Sequence, residues 1–210
     1  MSERLLKRGF DIIASAVGLV SLFPLIVVCI IIARRETGAN GLYRQRRIGR
    51  HGREFEVMKI RTMFPGSDRG GNAVTIANDD RITRSGRVLR RYKLDELPQL
   101  WNVLVGDMSF VGPRPDVPGY ADRLVGEERE LLELRPGITG PATIKYRDEE
   151  ALLAAQRDPI AYNDRVIYPD KVRINLEYLH HYRFVHDIRY ILITVGLAEI
   201  PSELVAGQAS

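Results

Sequence analysis

Asp95 and Glu96 stand side by side in "KLDELPQLW", three residues before a proline. Asp is a preferred helix N-cap and Glu suits the positive end of a helix dipole, so by itself the pair reads as an ordinary helix start. The cations elsewhere in the chain change that balance. Lys59 and Arg61 lie in "VMKIRTM", Arg114 sits between prolines in "GPRP", Arg135 opens "RPGITG" and Arg147 lies in "KYRDEE". Guanidinium groups held in stiff or turn segments suit bidentate contact with phosphate oxygens. Carboxylates and arginines in this combination point to phosphoryl transfer.

A carboxylate nucleophile can attack a diphosphate only when its own charge and that of the substrate are offset, which calls for a divalent cation and fixed donors. Mg²⁺ is the expected ion, because it takes one or two carboxylates and fills its shell with substrate phosphate oxygens. Asp95 and Glu96 are its expected ligands. A helix N-terminus at Asp95 is expected to keep that carboxylate ionised and to lend donors to the phosphate. His180, His181 and His186 match no zinc-binding spacing.

These residues need elements to hold them. "REFEVMKIRTM" reads as a strand, with Phe55, Val57 and Met58 on apolar sides and Lys59 and Arg61 projecting together. "PGSDRGGNA" reads as a connecting loop that lacks the strand, spacing and lysine of a P-loop. "SGRVLRRYKLDELPQLWNVL" predicts a short basic helix and then a second helix starting near Asp95, since Pro98 is comfortable only in a first turn. In "GDMSFVGPRP" and "RPGITG" prolines and glycines fix the backbone around an arginine, and "EERELLEL" between them predicts a short helix. Near the C-terminus Tyr178, Tyr182, Val185, Ile188, Leu192 and Val195 recur at helical spacing. Such a stripe usually packs a core, but its tyrosines and cations beside an anchored domain favour an interfacial helix.

From Phe10 to Ala33 the only charge is Asp11, and as one straight helix this run would reach about 36 Å, enough for a bilayer core. A cleaved signal peptide fits less well, because the run is long and Arg34 and Arg35 follow it. Pro24 removes an amide donor and crowds the carbonyl of Val20, which predicts two shorter helices that enter one leaflet and return. Arg4, Lys7 and Arg8 before the run and Arg34, Arg35, Arg44, Arg46 and Arg47 after it leave neither end translocated. A kinked spanning helix is the alternative, and it too keeps the remainder in the cytoplasm.

The 210 residues are 45% hydrophobic and 28% charged, which suits a single catalytic domain. A net charge of +4 admits nucleic acid, an anionic membrane surface or a phosphorylated substrate as partner. A nucleic-acid binder would use the arginines of 81–91, but 27 acidic residues are interspersed and no reading module is visible, so no nucleic-acid partner is expected. A noncatalytic membrane scaffold is the other alternative, opposed by the intact Asp95 and Glu96 pair. The lone Cys29 allows no intrachain disulfide and reads as a small apolar residue.

"KRGFD", "MKIRTM", "RITRSGRVLRRYKLDELPQLWNVLVGDMSFVGPRP" and "RPGITG" together resemble the bacterial sugar transferase family, the monotopic phosphoglycosyl transferases. The resemblance implies an α+β, mostly helical fold: a re-entrant membrane helix over 1–36 broken at Pro24, a catalytic domain over 37–200 with interfacial amphipathic helices, and a tail over 201–210. It implies a ping-pong reaction at the cytoplasmic face of the bacterial inner membrane. An Asp carboxylate attacks the β-phosphate of a UDP-sugar and expels UMP, and undecaprenyl phosphate then takes the sugar phosphate from the enzyme. The product would start a glycan such as an O-antigen, capsule, exopolysaccharide or glycoprotein glycan, handed on to downstream glycosyltransferases.

Matched by motif, Asp95 would be the nucleophile and Glu96 its neighbour in metal binding or acid-base support. Lys59, Arg61, Arg114, Arg135 and Arg147 would meet phosphate or nucleotide, and anionic lipids would surround the anchor. Two departures stand out. Phe23 replaces the serine usual before the proline, and "PATIKYRDEE" puts Lys145 and Tyr146 where relatives have Asn-Gly, which implies a change in sugar or loop geometry.

Overall fold

The apolar run forms the longest element of the protein. The computed structural model describes residues 3–66 and 80–201, so most of the "PGSDRGGNA" loop and of the tail lies outside the described residues. Helix α1 runs over Glu3–Thr37, 35 residues and about 52 Å of axis. Its most apolar window reaches a mean hydropathy of 2.9, long and apolar enough to cross a membrane. Ile13, Val17, Val20, Phe23 and Val28 stand exposed along it, a stripe that a water-facing surface would not carry.

The expected division at Pro24 is not seen, because α1 continues through it. One missing amide is a local loss that a long apolar helix tolerates, and the Ser21 hydroxyl bonds back to the Val17 carbonyl at 2.7 Å in the turn before. Both ends of α1 are fastened to the same domain. Near its start Arg8 donates to the carbonyls of Val103 (2.7 Å) and Leu104 (2.8 Å), and the buried Asp11 accepts from Ser109 Oγ and the Phe110 amide, each at 3.1 Å. Near its end Glu36 accepts from the Arg84 amide at 2.8 Å, and Cys29 and Ala33 pack on Ile60 and Leu89.

Strands β1 (Leu42–Ile48) and β2 (Glu54–Ile60) form an antiparallel hairpin with Tyr43 opposite Lys59. One face carries Arg44, Arg46, Glu54 and Glu56 in exposed ion pairs, while Val57 on the other is fully buried against Val103 and Met108. Helix α2 (Arg84–Arg91) is the expected basic helix, N-capped by Thr83. The predicted helix start at Asp95 needs correction: Leu94–Glu96 is a 3₁₀ turn, and α3 (Gln99–Val105) follows with Pro98 as its cap. Proline fits that cap because it has no amide to leave unpaired.

Strands β3 (Ser109–Val111) and β4 (Gly137–Thr139) pair in parallel, with a 3₁₀ helix over Gly126–Glu133 where "EERELLEL" predicts a helix. Short helices α4 (Pro141–Lys145), α5 (Glu149–Ala154) and α6 (Pro159–Tyr162) lead through a π turn into α7 (Tyr168–His180), and α8 (Phe184–Thr194) ends the fold. The single C-terminal amphipathic helix is therefore two. Tyr178 and Tyr182 turn inward to Asp187, and Val185, Leu192 and Val195 stay exposed. The whole is mostly helical, with a small content of sheet.

Candidate active site

The 3₁₀ turn places its two carboxylates differently. Lys93 enters the turn in the left-handed region, φ 55°, a conformation that costs a non-glycine residue roughly 1 kcal/mol and folds the chain sharply into Asp95. Asp95 is 8% exposed, and no hydrogen bond or ion pair engages its carboxylate among the described residues. Glu96 is held by two cations: Arg114 in a close hydrogen-bonded ion pair, and Lys59 with Nζ at 3.9 Å.

The electrostatics follow from that arrangement. Burial pushes the Asp95 carboxyl above the usual range and the Glu96 charge adds to the rise, against the pull of Lys59, Arg90 and Lys93. Burial also acts to raise Glu96, but Arg114 and Lys59 overcome it and hold that carboxyl at about 2. Burial and the Arg114 charge bring Lys59 down to about 8. The expectation that a helix dipole keeps Asp95 ionised is thus corrected, since α3 begins beyond the turn and the carboxyl is raised on balance, Lys59, Arg90 and Lys93 only opposing the rise. A basic carboxylate without a partner is a good nucleophile, and a neighbouring carboxylate locked between cations is a poor one.

Backbone bonds fix each member of the cluster. Asn102 on α3 accepts from the Met58 amide (3.1 Å) and donates to the Glu56 carbonyl (2.8 Å), setting β2 and therefore Lys59 against the turn. Arg114 projects from a loop braced by "RPGITG": the Ser109 amide donates to Pro136 (2.8 Å), the Gly137 amide to Pro113 (2.8 Å) and the Gly112 amide to Thr139 (2.9 Å). The bracing requires glycine, since a Cβ on Gly137 would stand 2.2 Å from the Gly112 nitrogen. On the other side Arg47 donates to the Pro115 carbonyl at 3.0 Å.

The structure therefore brings Asp95, Glu96, Lys59 and Arg114 together. Arg61, expected on the strand face of Lys59, lies one residue past the end of β2, where it donates to the Asn40 carbonyl (2.8 Å) and lies over the Tyr43 ring (5.0 Å). Arg147 is exposed and pairs with its neighbour Asp148 at 3.3 Å. Arg135 is not in the cluster: it donates to the Gly106 carbonyl and lies beside Arg50 and Arg8.

Several charged residues near the cluster carry no sequence signal of their own. Asp116 is pushed up by burial to about 6, against Lys171 and Arg47, and Glu149 pairs with Lys171 at 2.7 Å. Arg90 close to Asp95 is itself held by Glu150. Only the position of Asp116, directly after "GPRP", could have pointed to it. Lys145 and Tyr146 both bond Asp170 on α7, at 2.6 and 2.7 Å, so this departure alters how the loop is anchored.

Among the described residues no group of three or more His, Cys, Asp or Glu side chains is gathered as a cage for a metal. Mg²⁺ does not need one where substrate oxygens complete its shell: Asp95 offers a carboxylate with no partner among the described residues, whereas Glu96 would share its oxygens with Arg114 and Lys59.

The sequence profile described as bacterial sugar transferase matches residues 2–198. A UDP-galactose-lipid carrier transferase of Erwinia amylovora is 32% identical over 93% of this chain and 41% of its own length. An uncharacterized sugar transferase of Bacillus subtilis is 32% identical over 91% of this chain and 86% of its own. A UDP-glucose:undecaprenyl-phosphate glucose-1-phosphate transferase of Caulobacter vibrioides is 35% identical over 90% of this chain and 68% of its own. The chain thus spans less than half of the Erwinia relative and most of the other two.

Proposed function

The chain belongs to the bacterial sugar transferase family, and on that premise we propose that it moves a sugar 1-phosphate from a UDP-sugar to undecaprenyl phosphate with Asp95 as nucleophile. One observation carries the assignment: a buried carboxylate that no hydrogen bond or ion pair engages among the described residues stands beside a carboxylate that has two cations.

In the first half-reaction an Asp95 oxygen attacks the β-phosphorus, the bond to the bridging oxygen breaks, and UMP leaves with that oxygen. The sugar phosphate stays on Asp95 as an acyl phosphate. In the second, a phosphate oxygen of undecaprenyl phosphate attacks the same phosphorus, and the bond to Asp95 breaks. The carboxylate returns, and undecaprenyl diphosphate sugar departs for downstream glycosyltransferases of a glycan pathway. Arg114 and Lys59 supply fixed positive charge where the phosphate charge gathers. Arg61 and Arg147 reach the outer part of the nucleotide, the exposed pair of Arg147 with Asp148 being weak enough for a phosphate to displace. Mg²⁺ held by Asp95 and Glu96 would neutralise diphosphate charge and ease the departure of UMP.

The membrane reading is that α1 dips into the cytoplasmic leaflet of the inner membrane without crossing it, which requires the continuous helix to bend at Pro24. It is supported by the attachment of both helix ends to one domain, through Arg8 and Asp11 at one end and Glu36 at the other. Tags on both termini should be protected from an external labelling reagent in intact cells, and labelling of the N-terminal tag would establish a span instead.

The activity is tested by UMP release from a panel of UDP-sugars, with Mg²⁺ and undecaprenyl phosphate, using the full chain in nanodiscs. Release with one sugar and a lipid-linked product is expected, and Asp95→Asn should abolish both. Silence across a broad panel from folded protein would favour a noncatalytic scaffold.

A further inference from the structure

A second cluster of charge lies at the foot of α1, away from the Asp95 turn. Arg4 and Lys7 from α1, Arg50 from the bend after β1, and Arg135 from the "RPGITG" segment line one cleft with Glu133, Leu134, Leu179 and Tyr182. Lys7 is neutralised by Asp187, with Nζ at 2.5 Å from Oδ2. Glu133 is shared between Arg50 (3.7 Å) and His51 (3.2 Å). Arg4 and Arg135 have no matching carboxylate in the lining. Burial depresses the Arg135 guanidinium and repulsion from Arg50 and Arg8 adds to it, only partly offset by Asp11, so the four cations of the lining outnumber its one carboxylate, Glu133. Such an excess draws an anion.

Two further features say what kind of anion. Leu134 and Leu179 make part of the cleft wall apolar. The surface beside it is apolar and open: Leu5 and Val185 are each 65% exposed, and α8 meets the first turns of α1 through Phe10 against Phe184 (5.7 Å) and through Glu3, which accepts from the Phe184 amide. A phosphate carried on an acyl chain satisfies both the charge and the wall, and arrives from the side on which those residues lie. We propose that this cleft binds the phosphate headgroup of an anionic glycerophospholipid, clamping the foot of the membrane helix at the bilayer surface. The site is independent of the transfer chemistry and uses no residue of the Asp95 cluster.

The test is native mass spectrometry of the full chain released from nanodiscs containing phosphatidylglycerol and phosphatidylcholine. Retained phosphatidylglycerol should exceed its share of the bilayer, and the double variant Arg4→Gln, Arg50→Gln should lose up to about thirtyfold in that selectivity, the most expected for two surface cations at an anionic membrane. The variant Arg44→Gln, Arg46→Gln, which removes the same charge from the exposed face of β1, should keep it. Equal loss in both variants would mean that net charge alone attracts lipid, and would overturn the site. Unchanged retention in the Arg4, Arg50 variant would do the same. If the Arg50 bond to the Glu133 carbonyl proves necessary for folding, Arg4→Gln alone, at an exposed position, must show a smaller loss in the same direction. Two additions identify the source: displacement by inorganic phosphate would assign the cleft to a free anion, displacement by undecaprenyl phosphate at low occupancy would assign it to the acceptor, and both results contradict a glycerophospholipid site.

Discussion

Replacing Glu96 by glutamine separates the electrostatic argument from simple packing. Glu96 titrates at about 2 against an ordinary 4.5, and its side chain is only 10% exposed. That difference corresponds to about 3 kcal/mol of folded-state preference for the charged form. A depressed carboxyl contributes this stability fully above its unfolded value and loses it as pH falls through its folded value, so the window lies between about pH 5 and pH 2. Glu96→Gln should therefore cost about 3 kcal/mol at pH 7, with Arg114 and Lys59 left facing each other, and only about half as much at pH 3. Denaturant unfolding of the metal-free protein in detergent, at both pH values, measures the difference. A loss of the same size at pH 7 and pH 3 would refute the reasoning, because it would mean that Glu96 acts by shape and not by charge.

The raised Asp95 carboxyl predicts an acid limb for UMP release with its midpoint above the usual carboxylate range, since the nucleophile must be ionised. In Glu96→Gln the second cause of that rise is gone, and whatever activity remains should have its acid limb at lower pH. Gly137→Ala brings a Cβ to 2.2 Å from the Gly112 nitrogen and 2.5 Å from the Thr139 oxygen; a cost of about 3 kcal/mol or more is expected, seen as a large drop in Tm. Asn102→Ala leaves the Met58 amide and the Glu56 carbonyl without their partner; unfolding experiments should show a loss of about 2–3 kcal/mol, and UMP release should fall with the misplacement of Lys59.

Much of the site was legible because its parts are local. Asp95 and Glu96 are adjacent, Lys59 lies in β2, and prolines fix Arg114, so residue type and spacing point to these four, while Arg61 falls just past the strand end. What spacing does not convey is which of two adjacent carboxylates meets the cations, because that depends on a left-handed Lys93 and on Arg114 arriving from a distant loop. Asp116, Glu149 and Lys171 were invisible for the same reason: their proximity is made by tertiary packing. Arg135 points away from the cluster to the Gly106 carbonyl, because a turn fixes a guanidinium's backbone without fixing its direction. The helix expected across 178–195 divides because Tyr178 and Tyr182 are drawn inward to Asp187, an interaction that helical periodicity cannot register.

The most direct test of the central claim is the mass of the intact protein after a brief reaction with a turned-over UDP-sugar, quenched before undecaprenyl phosphate is added. An increment equal to one sugar phosphate is expected, removed by hydroxylamine, absent when undecaprenyl phosphate is supplied before the quench, mapped to Asp95 and missing from Asp95→Asn. An unmodified protein that still turns over, or an increment that survives in Asp95→Asn, would contradict it.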